Sequence, residues 1–159
     1  MKIHKTIKPK RAIVIGATSG IGKEVAKLLA SKGWVVGVAG RREELLKELC
    51  EKYEGIKYIQ CLDVTSADAP ERLMELVERM GGMELYFHSS GIGYQNPSLD
   101  ILKECATVQT NALGFTQMVA TTYNFFLAHP EQESHLAVIS SIAGTKGLGA
   151  APSYSSTKR

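Results

Sequence analysis

The sequence has few of the residues that build disulfide frameworks or metal centres. Its three cysteines, Cys50, Cys61 and Cys105, are odd in number and show no CxxC spacing. That pattern argues against a disulfide framework and against a structural zinc site, and a reducing cytoplasm fits it best. The four histidines also lack metal-ligand spacing, so no metal is expected. They are His4, His88, His129 and His135.

Long apolar runs and long basic runs are missing as well. No apolar segment is long enough to span a bilayer, and the basic stretch 1–10 has no apolar core of the kind that a signal peptide carries. We predict this stretch to be a flexible N-terminal arm. The net charge is +3, with both signs interspersed and no run of Lys or Arg. Neither a nucleic acid nor a membrane is therefore expected as a partner.

The chain does contain enough apolar side chain to fill one core. Its length of 159 residues and its apolar content of 44% predict a single globular domain over residues 11–159. Apolar strands alternating with helical patterns are typical of parallel crossovers, and so predict a doubly wound, Rossmann-like α/β sheet of order 3-2-1-4-5. The predicted strands are 12–15, 34–39, 56–62, 83–87 and 136–139.

The predicted helices lie between these strands. In the first, Val25, Leu28 and Leu29 are expected to face the core. Ser98 is a candidate cap for a long helix before the fifth strand. A last helix would start near Pro152, which suits a first turn. The predicted helical ranges are 21–31, 41–53, 70–80 and 99–128.

One segment organises the rest of the chain, the run Gly16-Ala17-Thr18-Ser19-Gly20-Ile21-Gly22 between the first strand and the first helix. A strand that turns through glycines into a helix offers unpaired amides and partial positive charge to an anion such as a diphosphate. The spacing is not GxGxxG. It is not a P-loop either, because Glu24 stands where Ser or Thr would bind magnesium. Three glycines also suit a plain tight turn, so the loop alone leaves nucleotide binding open.

Tyr154 and Lys158 are four residues apart, so their side chains share one helix face. A free phenol is too weak an acid to work at neutral pH, and a neighbouring ammonium stabilises the phenolate. The pair therefore has the chemistry of a general acid or base. Ser141, after the fifth strand, could reach the same point and donate a hydrogen bond to a carbonyl oxygen there. The alternative is an exposed Tyr and Lys on an amphipathic helix, since YxxxK occurs often by chance.

Taken together, these motifs resemble those of the short-chain dehydrogenase/reductases, which are NAD(P)-dependent oxidoreductases with a Rossmann fold. The resemblance runs from about residue 11 to the last residue. The family's TGxxxGxG loop is matched at its three glycines, although Ile15 replaces the usual Thr. The NNAG motif after strand four is not matched, because His88-Ser89-Ser90-Gly91 keeps only the glycine. The remaining matches are the acidic residue after strand three at Asp63, the catalytic Asn at Asn111, the catalytic Ser at Ser141, and YxxxK at Tyr154 and Lys158.

The resemblance implies a role for each catalytic residue. Tyr154 would exchange a proton with the substrate oxygen, and Lys158 would stabilise its phenolate and bind the nicotinamide ribose. Ser141 would orient the carbonyl or alcohol, and Asn111 would help hold a water that relays protons through Lys158. The expected cofactor contacts are Gly16, Thr18, Ser19, Gly20, Ile21, Gly22, Arg41, Arg42, Asp63, Val64, Ser89, Gly91, Asn111, Tyr154 and Lys158.

Cofactor choice is read at the end of the second strand, where an acidic residue would bind the adenosine ribose and repel a 2′-phosphate. Gly40 stands at that position, and Arg41 and Arg42 follow it. A missing carboxylate and an arginine able to grip phosphate favour NADP(H) over NAD(H). Alternatively, both arginines simply begin a solvated helix, with Glu43 close enough to neutralise one of them.

Members of this family continue beyond YxxxK, so we expect an N-terminal portion of a longer reductase, with the family's last strands missing. The expected reaction interconverts a small-molecule carbonyl and a secondary alcohol by hydride transfer. A catalytically inactive nucleotide-binding fragment or redox-sensing module on the same fold stays open, as does a doubly wound methyltransferase. By resemblance, a homodimer or homotetramer is also open.

Overall fold

The computed structural model describes residues 8–159. Its five parallel strands form one sheet in the order β3-β2-β1-β4-β5, which confirms the predicted topology. Residues 1–7 of the predicted N-terminal arm lie outside the described residues, and Lys10 already accepts a hydrogen bond from Val35 N at 2.9 Å. The strands are β1 (Arg11–Ile15), β2 (Val35–Gly40), β3 (Ile56–Cys61), β4 (Leu85–His88) and β5 (His135–Val138).

Helices cover both faces of the sheet. The first two, α1 (Gly20–Ser31) and α2 (Glu43–Lys52), pack on one face. On the other face lie α3 (Ala69–Met80) and a long helix that runs from α4 (Ile101–Val108) through a π-helical segment (Gln109–Gly114) into α5 (Phe115–Leu127). The short α6 (Pro152–Thr157) follows a 3₁₀ turn after β5. No helix within residues 8–159 is long and apolar enough to cross a membrane.

Two apolar cores enclose the sheet because alternate side chains of a strand point to opposite faces. Ile13 and Ile15 of β1 belong to the core under α3 and α5, whereas Val14 belongs to the core under α1 and α2. All three side chains are at most 1% exposed. A strand buried on both faces reads as an unbroken apolar run. This explains why the sequence locates β1 to within one residue.

The prediction that Leu28 faces the core is wrong. Its side chain is 55% exposed, and the fully buried positions of α1 are Gly22 and Ala26. Small residues on this stripe let the helix backbone lie close to the sheet. Val25 and Leu29 do pack against the core as predicted, so the periodicity of large apolar side chains was wrong only at Leu28.

The long helix begins later than predicted, and Ser98 is not its cap. Asp100 caps α4, with its carboxylate accepting from Leu102 N at 2.9 Å. The Asn96 side chain fixes this start because its Oδ1 accepts from Asp100 N at 3.0 Å. The helix is also not uniform, since it widens into the π-helical segment around Asn111. Such segments are frequent at functional sites.

Substituting a buried leucine and the exposed one tests this placement. We expect Leu73→Ala to lower the free energy of unfolding by about 2–5 kcal/mol, because Leu73 is fully buried between α3 and the sheet. Leu28→Ala is the matched control and should cost about 0.5 kcal/mol or less. Urea unfolding of both variants gives the comparison. Equal losses would contradict the outward orientation of Leu28.

Candidate active site

The carboxyl ends of the strands open onto one cavity of 610 Å³. Loops after all five strands line it, together with residues of α6. The strand order reverses direction between β1 and β4, so the loops diverge there and leave a crevice in which ligands bind in such sheets. Of the residues predicted for the site, all line the cavity except Gly22, Asn111 and Ser141.

The glycine turn after β1 forms one wall of this cavity. Gly16 has φ +80°, a left-handed backbone conformation that favours glycine. A Cβ added to Gly16 would lie 2.8 Å from Ser90 N, and one added to Gly22 would collide with the carbonyl of Gly16. The turn thus closes on itself and against the loop after β4, and side chains at these two positions would force the backbones apart.

Only part of this turn has amides free for an anion. Gly16 N and Ala17 N both donate to Ala39 O, at 2.9 and 3.2 Å. The first helical bond of α1 runs from Lys23 N to Ser19 O, and the Ser19 side chain does not cap the helix. The amides between these points precede the helical bonding pattern. The structure therefore narrows the predicted anion-binding amides from 16–22 to 18–22.

Arg42 lies at the edge of the cavity between the glycine turn and the end of β2. Its Nη2 donates to Thr18 Oγ1 at 2.7 Å and to Ser19 Oγ at 3.1 Å. Glu43, which could have neutralised it, instead pairs with Lys47 at 2.9 Å. The guanidinium is therefore held beside the turn with no ion pair to a carboxylate among residues 8–159.

The loop after β3 is held by its own hydrogen bonds. Asp63 Oδ1 accepts from Thr65 N at 2.9 Å and from Thr65 Oγ1 at 2.8 Å, a turn typical of aspartate. Val64 is 4% exposed, and its carbonyl accepts from the Gln117 side chain of α5. Both residues thus present a fixed edge to the cavity.

Tyr154 and Lys158 meet at the loop after β4. Lys158 Nζ lies 5.9 Å from the centre of the Tyr154 ring and donates to Ile139 O at 3.4 Å. The tyrosine ring packs on Gly93, where an added Cβ would lie 2.5 Å from ring carbon Cδ2. The ammonium passes beside Gly91, 3.1 Å from the position of a Cβ there. Both side chains of YxxxK therefore reach the cavity beside the loop after β4.

Asn111 lies behind the cavity wall and is 5% exposed. It binds the Ile92 peptide with both ends of its amide, accepting from Ile92 N at 2.9 Å and donating to Ile92 O at 2.7 Å. Its Nδ2 also donates to Thr157 Oγ1 at 3.2 Å. Asn111 thus joins the π-helical segment, the loop after β4 and α6. The relay water implied for it by resemblance stays a prediction.

The two adjacent serines after β5 point in different directions. Ser141 Oγ accepts from Ala143 N at 3.2 Å, at the start of the 3₁₀ turn, and Ser141 does not line the cavity. Ser140, which sequence reasoning missed, does line it and donates from Oγ to Lys158 O at 2.7 Å. Spacing to YxxxK alone could not tell the two apart. The role of Ser141 in orienting a substrate stays a prediction.

His88, at the end of β4, replaces the first asparagine of the NNAG motif. It is 2% exposed, its Nδ1 lies 2.8 Å from the Tyr86 hydroxyl, and its ring packs edge-on against Phe115. Burial lowers the pKa of His88 to about 4, and the positive charge of Lys158 acts in the same direction. The imidazole is therefore neutral at neutral pH and adds no second positive charge beside Lys158.

This buried imidazole predicts a loss of stability in mild acid. An unfolded histidine takes up its proton near pH 6.5, whereas folded His88 does so only near pH 4. Between these values the unfolded state binds more protons than the folded state. The contribution of neutral His88 to the free energy of unfolding is therefore complete above about pH 6.5, and it falls by up to about 1.4 kcal/mol per pH unit on acidification.

The variant His88→Asn should lack that slope in urea unfolding measured at several pH values between neutral and pH about 4.5. His135→Asn is the matched control, because the His135 side chain is 65% exposed and should leave the slope in place. An unchanged slope in His88→Asn would show that another group controls the acid response.

Comparison with known proteins agrees with this geometry. The sequence profile described as short chain dehydrogenase matches residues 10–159. An uncharacterized oxidoreductase of Listeria monocytogenes is 34% identical over 160 residues, which cover 96% of this chain and 63% of the relative. An uncharacterized oxidoreductase of Myxococcus xanthus is 32% identical, with coverages of 94% and 60%. The chain thus spans less than two thirds of the length of these relatives.

Solved structures give the same result. A variant of an actinorhodin polyketide ketoreductase, crystallised with NADPH, superposes with a TM-score of 0.84 at 25% identity, covering 94% of this chain and 60% of that one. A serine dehydrogenase from Escherichia coli has a TM-score of 0.82 at 25% identity, with coverages of 93% and 69%. Because the family profile matches nearly the whole chain and the fold and cavity agree with it, the chain belongs to the short chain dehydrogenase family.

Proposed function

We propose that the protein is an NADP(H)-dependent reductase that interconverts a small-molecule carbonyl and a secondary alcohol. One observation carries this proposal: the glycine turn, Arg42 and the Tyr154–Lys158 pair all line a single cavity at the carboxyl edge of the sheet. That cavity therefore combines an anion-binding turn with an acid–base pair. The similar ketoreductase was crystallised with NADPH, which supports the choice of cofactor class.

The residues present fit a dinucleotide. A Cβ on Gly20 would meet no other protein atom within 4 Å, and Gly20 lines the cavity, so there is open space for a diphosphate against the amides of residues 18–22. Asp63 and Val64 would border the adenine, and Lys158 would hold the nicotinamide ribose. When bound, the nicotinamide supplies the hydride chemistry.

The chain's own side chains would handle the proton on the substrate oxygen. The Tyr154 hydroxyl gives or takes that proton, and the Lys158 ammonium stabilises the phenolate that results. Ser141 would orient the substrate oxygen, and Asn111 holds the loop on which Tyr154 packs through its two bonds to Ile92. Position and electrostatics are thus what the protein contributes.

The preference for NADP(H) rests on the contacts of Arg42. Thr18 and Ser19 hold its guanidinium at the end of β2. A Cβ on Gly40 would lie 3.0 Å from Thr18 Cγ2, so the ribose-facing position has neither a carboxylate nor space for one without movement. A guanidinium in this place suits a 2′-phosphate, to which it can donate two parallel hydrogen bonds.

Fluorescence titration with NADPH and NADH tests this preference. We expect the wild-type chain and the product of the complete gene to bind NADPH about tenfold or more tightly than NADH. Arg42→Gln should weaken NADPH binding about tenfold, because it removes one charged hydrogen-bonding group, and leave NADH binding unchanged. Arg41→Gln is the matched neighbour and should have a smaller effect. Equal affinity of the wild type for both cofactors would contradict the proposal.

A catalytically inactive nucleotide-binding module is the second candidate, because the chain spans only part of its relatives' length. Activity of the complete gene product with a panel of ketones and aldehydes decides between the two. We expect Tyr154→Phe to lower NADPH oxidation about 100-fold or more, since it removes the general acid, without changing NADPH affinity.

Tyr94→Phe is the control for this test, because Tyr94 lines the same cavity and is 44% exposed. It should retain most of the activity. Equal rates for Tyr154→Phe and the wild type would favour the inactive module.

A further inference from the structure

Glu104 of α4 is hydrogen-bonded to the first turn of α6, the helix that carries Tyr154. Its Oε2 accepts from Ser153 N at 3.1 Å and also from Ser153 Oγ. Ser153 directly precedes Tyr154 in the chain. Two donors from one residue fix both the position and the rotation of the start of α6 relative to α4.

The other carboxylate oxygen of Glu104 is held by Asn96. Asn96 Nδ2 donates to Glu104 Oε1 at 2.6 Å, and Asn96 is 1% exposed. Asn96 N also donates to Ala150 O at 2.6 Å. Together the two side chains join the loop after β4 to the loop before α6. Both loops wall the cavity, through Gln95 and Ala151.

The turn beside this contact is conformationally unusual. Leu99 has φ +54°, in the left-handed region that leucine rarely adopts. Such a conformation persists only where surrounding contacts enforce it. Asn96 supplies them, because its amide bonds to both the backbone N and the backbone O of Asp100.

Tertiary contacts of this kind hold α6 around Tyr154 at several further points. Neutral hydrogen bonds hold it at Ser155, which accepts from Leu148 N at 2.9 Å, and at Thr157, which accepts from Asn111. Glu104 supplies an ionised acceptor, and bonds of that type are stronger. The bonds from Ser153 and then Asn96 hold the pKa of Glu104 below its usual range.

We propose that Glu104, braced by Asn96, is a positioning residue that keeps the Tyr154 phenol in place for proton transfer. Neither Glu104 nor Asn96 lines the cavity, so neither would touch substrate or cofactor. The inference rests on the proposed reductase function. It extends that function to a carboxylate on a different helix, outside the glycine turn and YxxxK.

Glu104→Gln tests the proposal, because it keeps the shape but turns one acceptor oxygen into a donor that opposes Asn96. With NADPH and phenanthrenequinone, an activated diketone, as the probe, we expect kcat of the complete gene product to fall about tenfold. The NADPH Kd and the KM for the diketone should change less than about twofold. In the 159-residue chain, exchange of the Ser155 amide should become about tenfold faster. Glu51→Gln, an exposed carboxylate of α2 on the opposite face of the sheet, should change none of these.

If Glu104→Gln does not fold, Ser153→Ala serves instead, because it removes only the hydroxyl donor and should lower kcat about threefold.

A Glu104→Gln enzyme with wild-type kcat would overturn the proposal, as would unchanged exchange at Ser155. The exchange measurement needs no cofactor. Failure of the wild type to bind NADPH would contradict the proposed function, while the exchange rates would still decide whether Glu104 holds α6.

Discussion

The close approach of the glycine turn after β1 to the loop after β4 is the constraint on which the site depends. The two backbones touch where a Cβ on Gly16 would meet Ser90 N. This contact holds the N-terminus of α1 at the crevice between β1 and β4. The loop after β4 then passes Lys158 at Gly91 and Tyr154 at Gly93. One contact between two loops therefore places the proposed anion-binding amides and the proposed acid–base pair on the same cavity.

Side chains from several elements hold Tyr154 and Lys158, the proposed acid–base pair. Asn111 fixes the loop under Tyr154, Ser140 binds the carbonyl of Lys158, and Glu104 binds the start of α6. Nearby, His88 is kept neutral by burial, so no second cation lies beside Lys158. The position of the proposed acid is thus set by packing around α6.

Sequence patterns located the central strands β1 and β2 well because strands buried on both faces are unbroken apolar runs. They also located the cavity, since the glycine turn and YxxxK both follow strand ends, and the family match removes the methyltransferase alternative. The failures share one cause, which is contact between residues distant in sequence. Leu28 was misplaced because small residues form the buried stripe of α1. Asn96 sets the helix start at Asp100, and no local pattern signals that bond or the bond from Ala143 N to Ser141 Oγ.

The most direct test of the account is a backbone amide spectrum recorded with and without NADPH. The account predicts the largest shifts at the amides of residues 18–22 and 91–93. The amides of Gly16 and Ala17 should shift less, because they already donate to Ala39 O. NADPH that binds without perturbing the glycine turn, or that does not bind the complete protein, would contradict the assignment of this cavity as a cofactor site.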